Sequence, residues 1–158
     1  YTKYSCEVEN GNVITISGRI YCDNCNVTVL YAKQLFAYNS IVHVEDGVKV
    51  ITNKCKVYLH YCESLHLQDS KCIAIEADEV NMYDSFLSIQ QSYFVEAYGY
   101  CNIKARMQSV INAQMVEMGT IKVYNESLVR VLKNDELNVK LYDKSKMMCV
   151  WKNYLAKA

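Results

Sequence analysis

Met82-Tyr83-Asp84-Ser85-Phe86-Leu87-Ser88-Ile89 holds the two signals from which the fold is read. From Ser85 to Ile89 a small residue is followed by strict alternation, and successive side chains of a strand point to opposite faces. Leu87 and Ile89 therefore face one way and Ser88 the other. Tyr83-Asp84-Ser85 reads as a corner. Asp tolerates left-handed backbone angles, a small Ser lets the next strand begin close by, and both side chains can satisfy corner backbone groups.

Outward from this stretch both signals recur. Clear copies of the strand unit are Cys25-Asn26-Val27-Thr28-Val29, Ser40-Ile41-Val42-His43-Val44, Cys55-Lys56-Val57-Tyr58-Leu59, Ser109-Val110-Ile111-Asn112-Ala113 and Ser127-Leu128-Val129-Arg130-Val131. Looser copies such as Val48-Lys49-Val50 and Ile73-Ala74-Ile75 fill the gaps. Together they make 18 units between Ile14 and Met147, spaced 6 to 10 residues apart. The corner returns as Tyr38-Asn39-Ser40, Tyr98-Gly99-Tyr100-Cys101, Tyr124-Asn125-Glu126-Ser127 and Tyr142-Asp143-Lys144-Ser145. With no proline and five glycines, the chain lacks the turn residues of a hairpin-rich sandwich. Strands this short gain a core when each coil pairs with the coils above and below it. The expectation is an all-β, single-stranded β-solenoid, a parallel β-helix.

Two ten-residue steps, Ile111 to Ile121 and Leu137 to Met147, recur after three units. They favour three sides over two, with about 22–26 residues per turn and about six turns. Two sides would give about 16 residues and about nine turns. A three-sided coil would stack His43 near His66. The chain reads as one domain: an N-terminal cap over 1–13, repeats over 14–150 and a C-terminal cap over 151–158. A rival reading makes a short helix of the last segment, since Val150, Trp151, Tyr154 and Leu155 share a helical face.

Seventeen basic and seventeen acidic side chains leave no net charge, which argues against general attraction to nucleic acid or anionic membranes. No apolar run is long enough for a transmembrane helix, and no charged-then-apolar leader opens the sequence. Cys22-Asp23-Asn24-Cys25 has the spacing of half a zinc site, but a structural site wants four ligands and no second pair exists. Buried reduced thiols, and hence a cytoplasmic setting, are the expectation. His43 and His66 could together bind metal, but a polar ladder is the simpler reading. No cofactor, metal site or catalytic constellation is expected.

The neutral total hides an uneven distribution. Residues 61–100 carry a net −6 and residues 122–158 a net +4. Glu76, Asp78, Glu79 and Asp84 fall near successive corners, with Tyr83, Tyr93 and Tyr98 close by and Glu96 between them. Carboxylates beside tyrosines suit docking onto a basic protein groove, because charge steers the encounter and aromatics anchor it. These eight residues are the candidate partner-binding set.

Val95-Glu96-Ala97-Tyr98-Gly99-Tyr100-Cys101-Asn102-Ile103-Lys104-Ala105-Arg106 resembles the Ala-Tyr-Asp-Ser-Ala-Thr-Val-type tandem repeats of phage and prophage β-solenoid proteins. The likeness runs over residues 14–150 in degenerate form. It implies the fold and a mobile-element origin, and it assigns no catalytic residue. The leading expectation is a non-enzymatic, phage-encoded binding protein of the anti-CRISPR kind, inhibiting a bacterial defence complex through a protein groove. A segment of a tail fibre, spike or adhesin is the alternative, and a carbohydrate-active β-helix enzyme is a third. Monomer and homo-oligomer both stay open.

Overall fold

The computed structural model describes residues 2–5, 11–132 and 135–150, with side chains for 19–132 and 135–149. Its elements, in chain order, are β1 (Thr2–Ser5), β2 (Gly11–Asp23), β3 (Cys25–Tyr38), β4 (Ile41–Asn53), β5 (Lys56–Gln68) and β6 (Lys71–Tyr83). There follow β7 (Phe86–Gln91), β8 (Phe94–Ala105), β9 (Val110–Val123), β10 (Leu128–Leu132), β11 (Leu137–Leu141) and β12 (Lys146–Val150). Every pairing is parallel, and each strand pairs with the turn before it and the turn after it. That is a β-solenoid of about nine turns.

The expected number of sides is corrected. Ile41 pairs with Lys56, Lys56 with Lys71 and Lys71 with Phe86, so one turn takes 15 residues. Beyond residue 100 the turn lengthens to 18, as Val110 pairs with Leu128 and Leu128 with Lys146. Each turn has two short sides. In one turn Val42 and Val44 face inward from the first side and Val50 and Thr52 from the second, all of them buried. The inner faces pack across a narrow, continuous core. The ten-residue steps misled because they lie at opposite corners. Ile111 to Ile121 crosses the corner before the first side, and Leu137 to Met147 crosses the other.

We call residues 26–30, 41–45, 56–60, 71–75, 86–90 and 102–106 and their successors face 1. The second halves of the turns, such as 49–53, 64–68, 79–83 and 94–98, are face 2. Corner 1 leads into face 1 and corner 2 into face 2. In the early turns corner 1 is sharp. Asn24, Asn39, Lys54, Asp69 and Asp84 each adopt φ between 47° and 56° there, followed by buried Cys25, Ser40, Cys55, Ser70 and Ser85. The small residue is also a connector. Ser85 Oγ accepts the Ser70 N–H at 3.1 Å and donates to the Tyr83 carbonyl at 2.7 Å, and Ser70 repeats the pattern one turn down. Corner 2 is a gentle bend in these turns, with Ala32, Gly47, Cys62 and Ala77 inside.

After residue 100 the sharp corner changes sides. Met107-Gln108, Asn125-Glu126 and Asp143-Lys144 are pairs of left-handed residues at corner 2, and Ser109, Ser127 and Ser145 carry on the serine ladder there. Ser109 opens its strand unit as Ser40 and Ser85 open theirs. It sits at the opposite corner.

Within the segment expected as an N-terminal cap, Thr2–Ser5 and residues 11–13 already belong to the parallel stack. The expected C-terminal cap over 151–158 lies outside the described residues, as does its helical alternative beyond Val150, which ends β12. So do Tyr1, residues 6–10 and residues 133–134.

Candidate interaction surfaces

The predicted docking residues fall within two consecutive turns but not in one patch. Glu76, Asp78 and Glu79 project at and just after corner 2, and Tyr93 lies above them in the next turn, its N–H bonded to the Asp78 carbonyl at 3.0 Å. Tyr93 is 70% exposed, more than any other large hydrophobic side chain described. Tyr83, Asp84 and Tyr98 lie at the far end of face 2, beside corner 1. Glu96 sits between the groups, in register with Asn81 and Asn112.

The carboxylates differ in what they already bind. Asp78 accepts the Tyr61 hydroxyl at 2.9 Å, which pushes the Tyr61 phenol up to about 12. Asp84 accepts the Tyr100 N–H at 2.9 Å, and both carboxylate oxygens of Glu96 lie 3.0 Å from the Asn112 amide nitrogen that donates to them. Tyr83 and Tyr98 stack with ring centroids 4.6 Å apart at 7°. Burial and then the Glu96 carboxylate raise the Tyr98 phenol. Asp84, Glu96, Tyr83 and Tyr98 therefore spend much of their bonding capacity inside the solenoid. The carboxylates of Glu76 and Glu79 make no hydrogen bond or ion pair among the described residues.

Face 1 carries a surface the sequence reading missed. Ile73 and Ile75 were read as core with Ala74 outside, but the phase is the reverse. Cys72 and Ala74 are buried, and Ile73 is 61% exposed. All four residues from Cys72 to Ile75 are apolar, so alternation alone cannot choose a phase. The 15-residue register could have, since it aligns Cys72 and Ala74 with Val57 and Leu59 below and Leu87 and Ile89 above. Half-exposed Ser88, small among larger neighbours, lies at the centre of a groove of about 640 Å³ spanning five turns. Tyr58, Ile73 and Phe86 give it apolar surface, and Lys56, Lys71, Lys104 and Lys122 give it charge. None of its lining residues among those described is acidic.

The histidines are separated. His43 stacks on Tyr58 on face 1 at 4.8 Å and 13°, while His66 lies on face 2 beside Tyr83 at 5.4 Å. Burial and nearby Lys49 lower the His66 imidazole. Among the described residues no group of three or more His, Cys, Asp or Glu could hold a metal ion. Of the Cys22–Cys25 pair, Cys22 is a buried free thiol and Cys25 is disulfide-bonded, which corrects the expectation of reduced thiols throughout. Burial pushes the thiols of Cys22 and Cys62 up to about 12, so neither is a nucleophile at neutral pH. No protein-family model matches the chain, and neither curated proteins nor solved structures give a significant match.

Proposed function

We propose that this chain is a non-enzymatic protein-binding solenoid that presents its acidic corner to a basic groove on a partner. The observation that carries this reading is the group of Glu76, Asp78 and Glu79 beneath Tyr93. Two of its carboxylates are unbonded, and its aromatic ring stands almost clear of the fold. A rigid solenoid loses little backbone entropy when such side chains are covered, because each is held on a paired strand or its corner. Long-range charge raises the encounter rate, and the buried tyrosine then slows dissociation.

In its most specific form the partner is a nucleic-acid groove or regulatory surface of a bacterial defence complex, and the chain is a phage-encoded inhibitor. The repeat resemblance supports that form. The test is binding of immobilised chain to purified defence effectors, compared with a Glu76→Lys/Glu79→Lys variant and with Tyr93→Ala. Each change should weaken a detected complex by about tenfold or more. A complex that forms equally well with both variants would show that the acidic corner is not the docking surface.

A further inference from the structure

The groove on face 1 has a charge pattern that works against the fold. Lys56 and Lys71 are direct cross-strand neighbours, and so are Lys104 and Lys122. Like charges placed opposite each other on adjacent strands destabilise a sheet. None of the four is relieved by an ion pair with a carboxylate among the described residues. Lys71 instead lies 5.4 Å from the centre of the Phe86 ring, and Lys104 lies 5.8 Å from that of Tyr124. These contacts hold the ammonium groups in place without cancelling their charge. Between and beside the lysine pairs the groove exposes Ile73 and Phe86, with the smaller polar Ser88 and Asn102 next to them. Cations flanking an uncovered apolar strip form a surface complementary to an acidic, amphipathic chain.

We propose that this groove is a second binding site, and that its occupant is an extended acidic polypeptide segment whose carboxylates meet the lysine pairs and whose apolar side chains cover Ile73 and Phe86. The five turns span about 20 Å at the spacing of paired strands, the length of about six extended residues. The strands beneath already have parallel partners on both sides, so the segment lies across the sheet and is held by side chains. A single-stranded nucleic acid would need bare aromatic faces on which bases stack. Here His43 covers one face of Tyr58, while Lys71 and the edge of Tyr100 crowd Phe86. The site is separate from the acidic corner, and its occupant has the opposite charge to the partner proposed there.

The experiment is fluorescence anisotropy with a labelled eight-residue peptide of alternating glutamate and leucine. An oligothymidylate octamer and phosphatidylserine vesicles serve as competing anions. Peptide binding should weaken about tenfold in Lys71→Gln/Lys104→Gln, and again in Ile73→Ser. It should be unchanged in Tyr93→Ala, a charge-neutral change at the acidic corner, which keeps the result independent of that corner. The lysine variant loses like-charge repulsion together with the ring contacts of Lys71 and Lys104, so it should melt close to the parent, and lost binding is then not lost folding. No binding of the peptide, binding insensitive to Lys71→Gln/Lys104→Gln, or tighter binding of the oligonucleotide or the vesicles would each overturn the proposal.

Discussion

Lys54 stands in a left-handed corner position, φ 56°, that its neighbours in the stack fill with Asn24, Asn39, Asp69 and Asp84. A long side chain gains nothing there, whereas Asn is tolerated because its short amide bonds locally. Lys54→Asn should therefore raise stability by about 0.5–1 kcal/mol, read as a higher melting temperature; no rise would mean that the corner is not under strain. Gly119 is the opposite case. At φ 131° it lies against the Cys101 backbone, and an added Cβ would collide with that carbonyl oxygen. Gly119→Ala should cost roughly 2–4 kcal/mol in denaturant melts. Gly99, φ 75°, faces only the Asp84 side chain, which can yield at the expense of its bond to the Tyr100 N–H, so Gly99→Ala should cost less than the backbone collision at Gly119. His66 sets a pH response. Its imidazole is lowered in the fold, so it resists protonation there more than in the unfolded chain. The stability it contributes is present above the ordinary histidine range, near pH 6.5, and fades as the pH falls through the lowered value. The parent should lose more melting temperature than His66→Gln between pH 7.5 and 5, and equal losses would contradict this.

At the scale of the element, the serine ladder explains why corner residues are small and polar. Removing Ser85 Oγ takes away a donor and leaves the Ser70 N–H without its acceptor inside the core. Ser85→Ala should cost about 1–3 kcal/mol, well above a typical surface change; a loss under 0.5 kcal/mol would mean the ladder is incidental. The corner was legible in the sequence because the chemistry of left-handed angles restricts it to few residue types. Tyr38-Asn39-Ser40 and Tyr83-Asp84-Ser85 announce themselves, and the structure places both at corner 1. Strand β6 was not legible. Cys72 to Ile75 can face either way on local pattern, and only pairing with β5 and β7 chooses. The exposed Ile73 and the groove beside it follow from that choice, which is why the basic face escaped a reading based on alternation. The acidic corner was legible in part: Glu76, Asp78 and Glu79 lie within four residues, so a corner brings them to the surface whatever the number of sides, whereas Tyr83, Asp84, Glu96 and Tyr98 fall elsewhere.

For the whole molecule, the uneven charge distribution acquires a geometry. The acidic corner and the lysine groove occupy overlapping turns but point in different directions, so one rigid stack of neutral net charge presents two surfaces of opposite sign. The parallel stack was legible from repetition, whereas the number of sides was not. A unit of seven or eight residues says where strands lie and nothing about how many complete a turn; pairing at 15 and then 18 residues decides it. Pulsed electron spin resonance distances between nitroxides at Thr28 and Lys140, in a Cys149→Ser background, test that winding directly. The two positions are linked on face 1 by the register through His43, Tyr58, Ile73, Ser88, Lys104 and Lys122. Seven rungs at the parallel-strand spacing predict a separation of about 34 Å. A three-sided coil would bring the labels to about 22 Å along the axis, and a distance near that value would contradict the two-sided solenoid and both surfaces built on it.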